Sequence, residues 1–93
     1  MKKTIIGIDI SAKTLDLCIK KENSKEFIQL ENTVKAIKKY LKGYEKEAEN
    51  IIISMENTGK YNWNLYEVLE AMTFTVFVIH PFHLKKSLGL IRG

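Results

Sequence analysis

Two carboxylates each close an apolar, strand-forming run, and these residues are the best candidates for chemistry. Asp9 follows residues 4–8, and Glu56 follows residues 51–55. Apolar runs with so little alternation are typical of strands covered on both faces. A charge at the end of such a strand is costly to desolvate, so it needs a cation, hydrogen-bond donors or water. Gly7 shares the strand face of Asp9 and leaves room there for a side chain, a backbone or a ligand.

The chemistry open to Asp9 and Glu56 depends on whether they converge. If their strands are parallel neighbours, both side chains lie at one end of a sheet, where carboxylates repel unless protonated or bridged by a cation. Oxygen ligands alone favour Mg²⁺ or Mn²⁺. Two such ions can activate the attacking oxygen and stabilise the leaving oxygen in phosphodiester chemistry. The two acids by themselves are equally consistent with residues that only cap loops.

The elements that must position these acids follow the order β-β-β-α-β-α-β-α. The short link after Ile10 makes the second strand antiparallel, and a helix before each of the last two strands makes those strands parallel to the first. We therefore predict an α/β fold, with a mixed five-stranded sheet and an antiparallel edge, in the ribonuclease-H-like arrangement. Strands are expected at residues 4–10, 15–20, 27–30, 51–55 and 74–79, with helices beginning near Val34, Tyr61 and Phe82.

Composition limits the chain to one domain, residues 1–93. The 45% apolar content is enough for one modest core. The net charge of +4 would tolerate a polyanion, although a lysine-rich surface explains it equally well. Cys18 is predicted to be a small buried hydrophobe, since a lone thiol makes no internal disulfide or zinc site. No leader or membrane-spanning run is visible, so we expect a cytoplasmic protein without membrane contact.

Several other polar residues have competing interpretations. Lys13, Thr58 and Lys60 flank the two acids and could contact a nucleic-acid backbone, although solvation or capping is the default for each. Asp16 is tempting as a third ligand, but its place just after a turn favours a turn or edge role. Residues 44–50 are expected to form a solvated, charged connection.

The aromatic residues and the second helix carry further expectations. The larger aromatics are predicted to lie in the core or at an interface rather than to stack on bases, namely Trp63, Tyr66 and Phe82. Asn64 and Glu67 have the spacing of a capping box, so the second helix could start a turn after Tyr61. The two histidines, His80 and His83, have no cysteine or further histidine partner, which makes a zinc site improbable.

Three short sequence motifs together suggest a family. Residues 7–11 followed by 14–17, residues 55–61 and residues 79–81 closely resemble the N-terminal DEDD, or RuvC-like, domain of insertion-sequence transposases, which include the pilin-gene invertases. The resemblance implies a metal-binding tetrad of Asp, Glu, Asp and Asp, with Asp9 as the first member and Glu56 as the second. His80 stands where the family often has Asn.

The resemblance also implies what surrounds this site. The last two aspartates of the family fall beyond Gly93, so we expect the N-terminal part of a longer DNA recombinase, with two Mg²⁺ or Mn²⁺ ions in the complete site. The chain alone is expected to be inactive and to bind metal weakly. DNA is the expected partner, and a guide RNA is a further one that the resemblance suggests. An exposed edge strand and an unfinished core make self-association plausible.

Two alternatives remain at this point. A sugar-kinase or actin-like nucleotide-binding domain also opens with Gly-x-Asp and a hairpin, but residues 11–14 supply no glycine to cradle a phosphate. A non-catalytic interaction module would leave both acids structural.

Overall fold

A five-stranded sheet in the order β3-β2-β1-β4-β5 organises the computed structural model, which describes residues 3–56 and 59–79. β1, β2 and β3 form an antiparallel meander, whereas β4 and β5 run parallel to β1. The predicted mixed α/β sheet with its antiparallel edge is therefore confirmed. The strands are β1 (Thr4–Ile10), β2 (Thr14–Lys21), β3 (Ser24–Glu31), β4 (Ile51–Glu56) and β5 (Thr75–Ile79), and the α-helices are α1 (Val34–Lys42) and α2 (Trp63–Glu70).

Both helices cover one face of this sheet. Alternate side chains of each strand face the helices, and they form a single buried cluster with the apolar side chains on the facing sides of α1 and α2. The strand members include Ile6, Ile8, Leu15, Leu17, Ile53 and Met55, and the helix members are Ile37, Leu41, Leu65 and Val68. β1 lies at the centre of the sheet, which explains its nearly unbroken apolar sequence.

The residues at its two ends explain where α1 begins and ends. The Thr33 hydroxyl accepts a hydrogen bond from the Ala36 backbone N–H at 3.2 Å, and Gly43 is the residue at which the helix ends. This N-terminal cap satisfies a backbone donor that has no partner within the helix.

Two segments differ from their sequence-based predictions by more than one residue at an end. β3 spans Ser24–Glu31 rather than residues 27–30, because its pairing with β2 continues without a break from Ser24 to Glu31. Residues 44–50 are not simply a solvated connection: Glu45–Asn50 form 3₁₀ turns in which Ala48 is buried. Cys18 is buried, as predicted.

The start of the second helix corrects the capping-box interpretation. A 3₁₀ turn at Gly59–Asn62 leads into α2, which begins at Trp63. Asn64 therefore lies inside the first turn, and its side chain donates to Asn32 rather than capping the helix. Trp63 is 70% exposed, so it does not lie in the core, which leaves the interface position of the two that were predicted.

Other predictions have mixed outcomes. Tyr66 is half-buried against the core, as predicted. The predicted helix beginning at Phe82, together with His80 and His83, lies outside the described residues. Within residues 3–56 and 59–79, no helix is long and apolar enough to cross a membrane.

Candidate functional site

Asp9 and Glu56 lie at the carboxyl ends of neighbouring parallel strands. β1 and β4 are in register up to the pair Ile8 and Met55, so each acid is the next residue along its strand. Neighbouring strands lie about 4.8 Å apart, and side chains alternate between the two faces. Because Ile8 and Met55 face the helices, Asp9 and Glu56 belong to the opposite face, which we call the open face.

Burial and donor type make this pair suitable for a hard cation. Glu56 is 9% exposed, and Asp9 is half-buried. Two carboxylates at adjacent strand ends supply only oxygen donors, and Mg²⁺ commonly takes one or two carboxylates while it keeps several waters. The pair therefore fits Mg²⁺ or Mn²⁺. Among the described residues, no group of three or more His, Cys, Asp or Glu side chains is arranged to hold a metal ion.

A third carboxylate shares the open face with Asp9. Asp16 lies inside β2, directly across from Asp9, and Gln29 donates a hydrogen bond to its Oδ1 at 2.8 Å. β2 is an interior strand of the sheet, so the predicted turn or edge position of Asp16 is wrong. The alternation of side chains along β2 could have predicted the position of Asp16, since Leu15 and Leu17 face the core and Asp16 must therefore face away from it.

The open face is concave next to Asp9. A surface depression of about 440 Å³ is lined by Gly7, Asp9, Asp16, Leu17, Cys18, Phe27, Ile28 and Gln29. Gly7 is buried in its floor, as expected for a position that leaves room beside Asp9. This depression gives a ligand access to Asp9 from the side of β2 and β3.

The β1–β2 turn beside Asp9 is closed by its own hydrogen bonds. The Ser11 backbone N–H donates to the Thr14 carbonyl at 2.9 Å, and the Thr14 backbone N–H donates to the Ser11 hydroxyl at 3.2 Å. The Asn32 backbone N–H also donates to the Lys13 carbonyl at 2.8 Å. The turn is thus fixed in place relative to the start of α1.

The basic residues proposed to contact a phosphate backbone lie near the same edge. Lys13 is exposed in the β1–β2 turn. Lys60 is also exposed, and its Nζ lies 5.6 Å from the centre of the Tyr61 ring. Thr58 lies outside the described residues. Contact of these residues with nucleic acid stays a prediction.

Two asparagines at this edge were not identified as functional from the sequence. Thr33 rather than Asn32 caps α1, and Asn32 is 9% exposed. Asn62 is fully buried and donates to the Glu56 carbonyl at 2.9 Å. Their sequence signal is weak because isolated asparagines beside turns usually stabilise the turn itself.

Comparisons with known proteins show both a family and a fold. A family model described as a transposase, of the DEDD type and the IS110 group, matches residues 6–93. Two solved structures of Ppx/GppA proteins from Aquifex aeolicus are similar to the chain, each with a TM-score of 0.51, at 15% and 14% identity. At such identities the likeness shows the fold alone.

The matched structures are much longer proteins. The alignments cover 87% of this chain but only 36% and 37% of the Ppx/GppA chains. No curated protein matches the chain.

Proposed function

Because the chain belongs to the IS110 group of DEDD transposases, we propose that it forms the N-terminal part of the catalytic domain of a DNA transposase. The observation that carries the proposal is the placement of Asp9 and Glu56 on one face, each one residue beyond the last matched pair of β1 and β4. Open α/β sheets collect their ligands at this carboxyl edge.

In this proposal Asp9 and Glu56 are the first two acids of a metal-binding tetrad. The remaining two aspartates would come from outside the 93 residues, since the only other aspartate of the chain is Asp16. When bound, Mg²⁺ or Mn²⁺ would activate the attacking oxygen and stabilise the leaving oxygen of a phosphodiester. The chain's own part is to hold two carboxylates at a fixed spacing beside an accessible depression.

Partners follow from the same proposal. DNA would approach the open face, with Lys13 and Lys60 at the rim to contact its phosphates, and Thr58 is a further candidate for such a contact. A guide RNA is a further partner that the family resemblance suggests, and a second copy of the protein is one that the exposed edge strand suggests. The 93-residue chain alone is expected to show no nuclease activity, because half of the acid set is missing from it.

Substitution of the acids in the longer protein tests this function. Asp9→Asn and Glu56→Gln should each abolish strand cleavage while leaving the circular dichroism spectrum and melting temperature near those of the parent. Glu70→Gln is a suitable control, since Glu70 is an exposed acid at the end of α2. Excision that persists in either acid variant would overturn the assignment, and so would robust metal-dependent cleavage by the 93-residue chain.

The sugar-kinase or actin-like alternative has less support. The likeness to the Ppx/GppA structures is one of fold, and the β1–β2 turn has no glycine. Its Ser11 and Thr14 amides already donate within the turn, so they are not available to a phosphate. A rise in melting temperature with added nucleotide, absent with inorganic phosphate alone, would revive that alternative.

A further inference from the structure

The spacing of Asp9 and Glu56 is not set by pairing between these two residues. The β1–β4 register ends at Ile8 and Met55. Asp9 is instead paired with Asp16 of β2, and Glu56 with Ile79 of β5. Each acid is therefore paired with the strand on its outer side and not with the other acid. Because the two acids repel when both are ionised, contacts that join these strand ends would oppose their separation.

Side-chain amides of two asparagines span this gap. Asn32 donates from its Nδ2 to the Ser11 carbonyl at 2.8 Å and to the Tyr61 carbonyl at 3.1 Å. Ser11 lies two residues after Asp9. The next residue after Tyr61, Asn62, donates from its Nδ2 to the Glu56 carbonyl at 2.9 Å. A continuous path of three hydrogen bonds thus joins the end of β1 to the end of β4, and we call Asn32 and Asn62 the asparagine bridge.

The bridge is buried and oriented by its neighbours. Asn32 is 9% exposed and Asn62 is fully buried. Asn64 donates to the Asn32 carbonyl at 2.8 Å and to the Asn32 Oδ1 at 3.3 Å, which fixes the Asn32 amide in one orientation. Both N–H groups of the Asn32 amide are used by the bridge. An amide carries only two such donors, so its substitution leaves two carbonyls without this partner.

We propose that Asn32 and Asn62 are positioning residues that set the separation of Asp9 and Glu56 for metal binding. This inference rests on the proposed function, in which the two acids bind Mg²⁺ or Mn²⁺. In this proposal neither asparagine is a metal ligand. They act through the backbone at Ser11 and Glu56, in the way that residues behind metal ligands tune affinity, and loss of such contacts typically weakens metal binding by about 10–100-fold.

The test uses the longer protein and measures Mn²⁺ affinity directly by electron paramagnetic resonance. Asn32→Ala and Asn62→Ala should each raise the Mn²⁺ dissociation constant by about tenfold or more. Excess Mn²⁺ should restore cleavage in both variants, but not in Asp9→Asn. Without metal, amide hydrogen exchange at residues 9–11 should be faster in Asn32→Ala than in the parent.

Two controls separate positioning from loss of stability. Thr33→Ala removes the α1 cap beside Asn32 and should lower the melting temperature without changing Mn²⁺ affinity. Asn23→Ala changes an exposed asparagine in the β2–β3 turn at the opposite end of the sheet and should change neither. If Asn62→Ala does not fold, Asn64→Ala replaces it and should weaken Mn²⁺ binding by less than Asn32→Ala, because the Asn32 donors remain.

The outcomes distinguish this inference from the function on which it rests. If Asp9→Asn and Glu56→Gln lose Mn²⁺ binding while Asn32→Ala keeps the parent affinity, the bridge is only structural and the inference fails. Equal weakening in Thr33→Ala and Asn32→Ala would also refute it. If the acid variants themselves retain the parent affinity for Mn²⁺, it is the proposed function that fails.

Discussion

Replacement of Ile8 by alanine should strongly destabilise the sheet that carries Asp9. Ile8 is fully buried in the central strand and is matched with Met55 in the last pair of the β1–β4 register. The change removes three buried carbons, for a transfer cost of about 2.4 kcal/mol at about 0.8 kcal/mol per methylene. The cavity left between rigid strands adds to this, so a total of about 3–4 kcal/mol is expected.

The size of this effect makes it easy to measure. A domain of this length is stabilised by roughly 5–14 kcal/mol, and each kcal/mol shifts the melting temperature by about 4–8 °C. Ile8→Ala should therefore lower the melting temperature by roughly 12–30 °C. Urea unfolding followed by far-ultraviolet circular dichroism is the suitable assay, because Trp63 is 70% exposed and its fluorescence would report poorly on the core.

The matched control is an equally drastic change at an exposed position. Phe27 is 62% exposed on the edge strand β3, so Phe27→Ala should cost less than about 1 kcal/mol. A midpoint shift in Ile8→Ala as small as that in Phe27→Ala would refute the placement of β1 at the centre of the core. An unchanged urea slope is also expected, since the same surface unfolds in both proteins.

Two further predictions concern the backbone and the alkaline pH range. Gly59 has φ of +76° and no atom within 4 Å of the position that a Cβ would take. Gly59→Ala should therefore lower the free energy of unfolding by about 1–2 kcal/mol through backbone strain, and Gly59→Asn should lower it less. Equal stability of the two variants in urea would contradict this. Burial, with a hydrogen bond to Tyr44, raises the pKa of Tyr40 above the ordinary value of 10.0. The folded protein therefore favours the neutral phenol, and the stability that this adds is present below pH 10.0 and is lost as the pH rises further. When urea unfolding is measured at neutral and at strongly alkaline pH, Tyr40→Phe should lose less stability between the two than the parent does.

The elements of this fold were predictable because their signals are local. The unbroken apolar run before Asp9 indicates a central strand, and the spacing of Val34, Ile37 and Leu41 indicates a helix with one buried stripe. Chain order alone then gives the parallel and antiparallel pairs, since a tight turn and a helical crossover each permit one direction. The same reasoning placed Asp9 and Glu56 at one edge of the sheet.

Predictions failed where contacts between distant segments decided the outcome. Trp63 was predicted to lie in the core or at an interface, and the core is excluded because no described residue packs over its side chain. Asn64 has the spacing of a helix cap, but a carbonyl 32 residues away in sequence takes its donor. The position of Asp16 opposite Asp9 depends on the register of the first hairpin.

The sequence by itself determined the two acids, the strands that end on them and the order of those strands. Apolar periodicity and link length are properties of short segments, so they can be read without the fold. Only the tertiary structure showed that the β1–β4 pairing stops before the acids and that Asn32 and Asn62 join the two strand ends. Hydrogen bonds between segments far apart in sequence leave no periodic pattern, and an asparagine beside a turn looks the same whether or not it forms them.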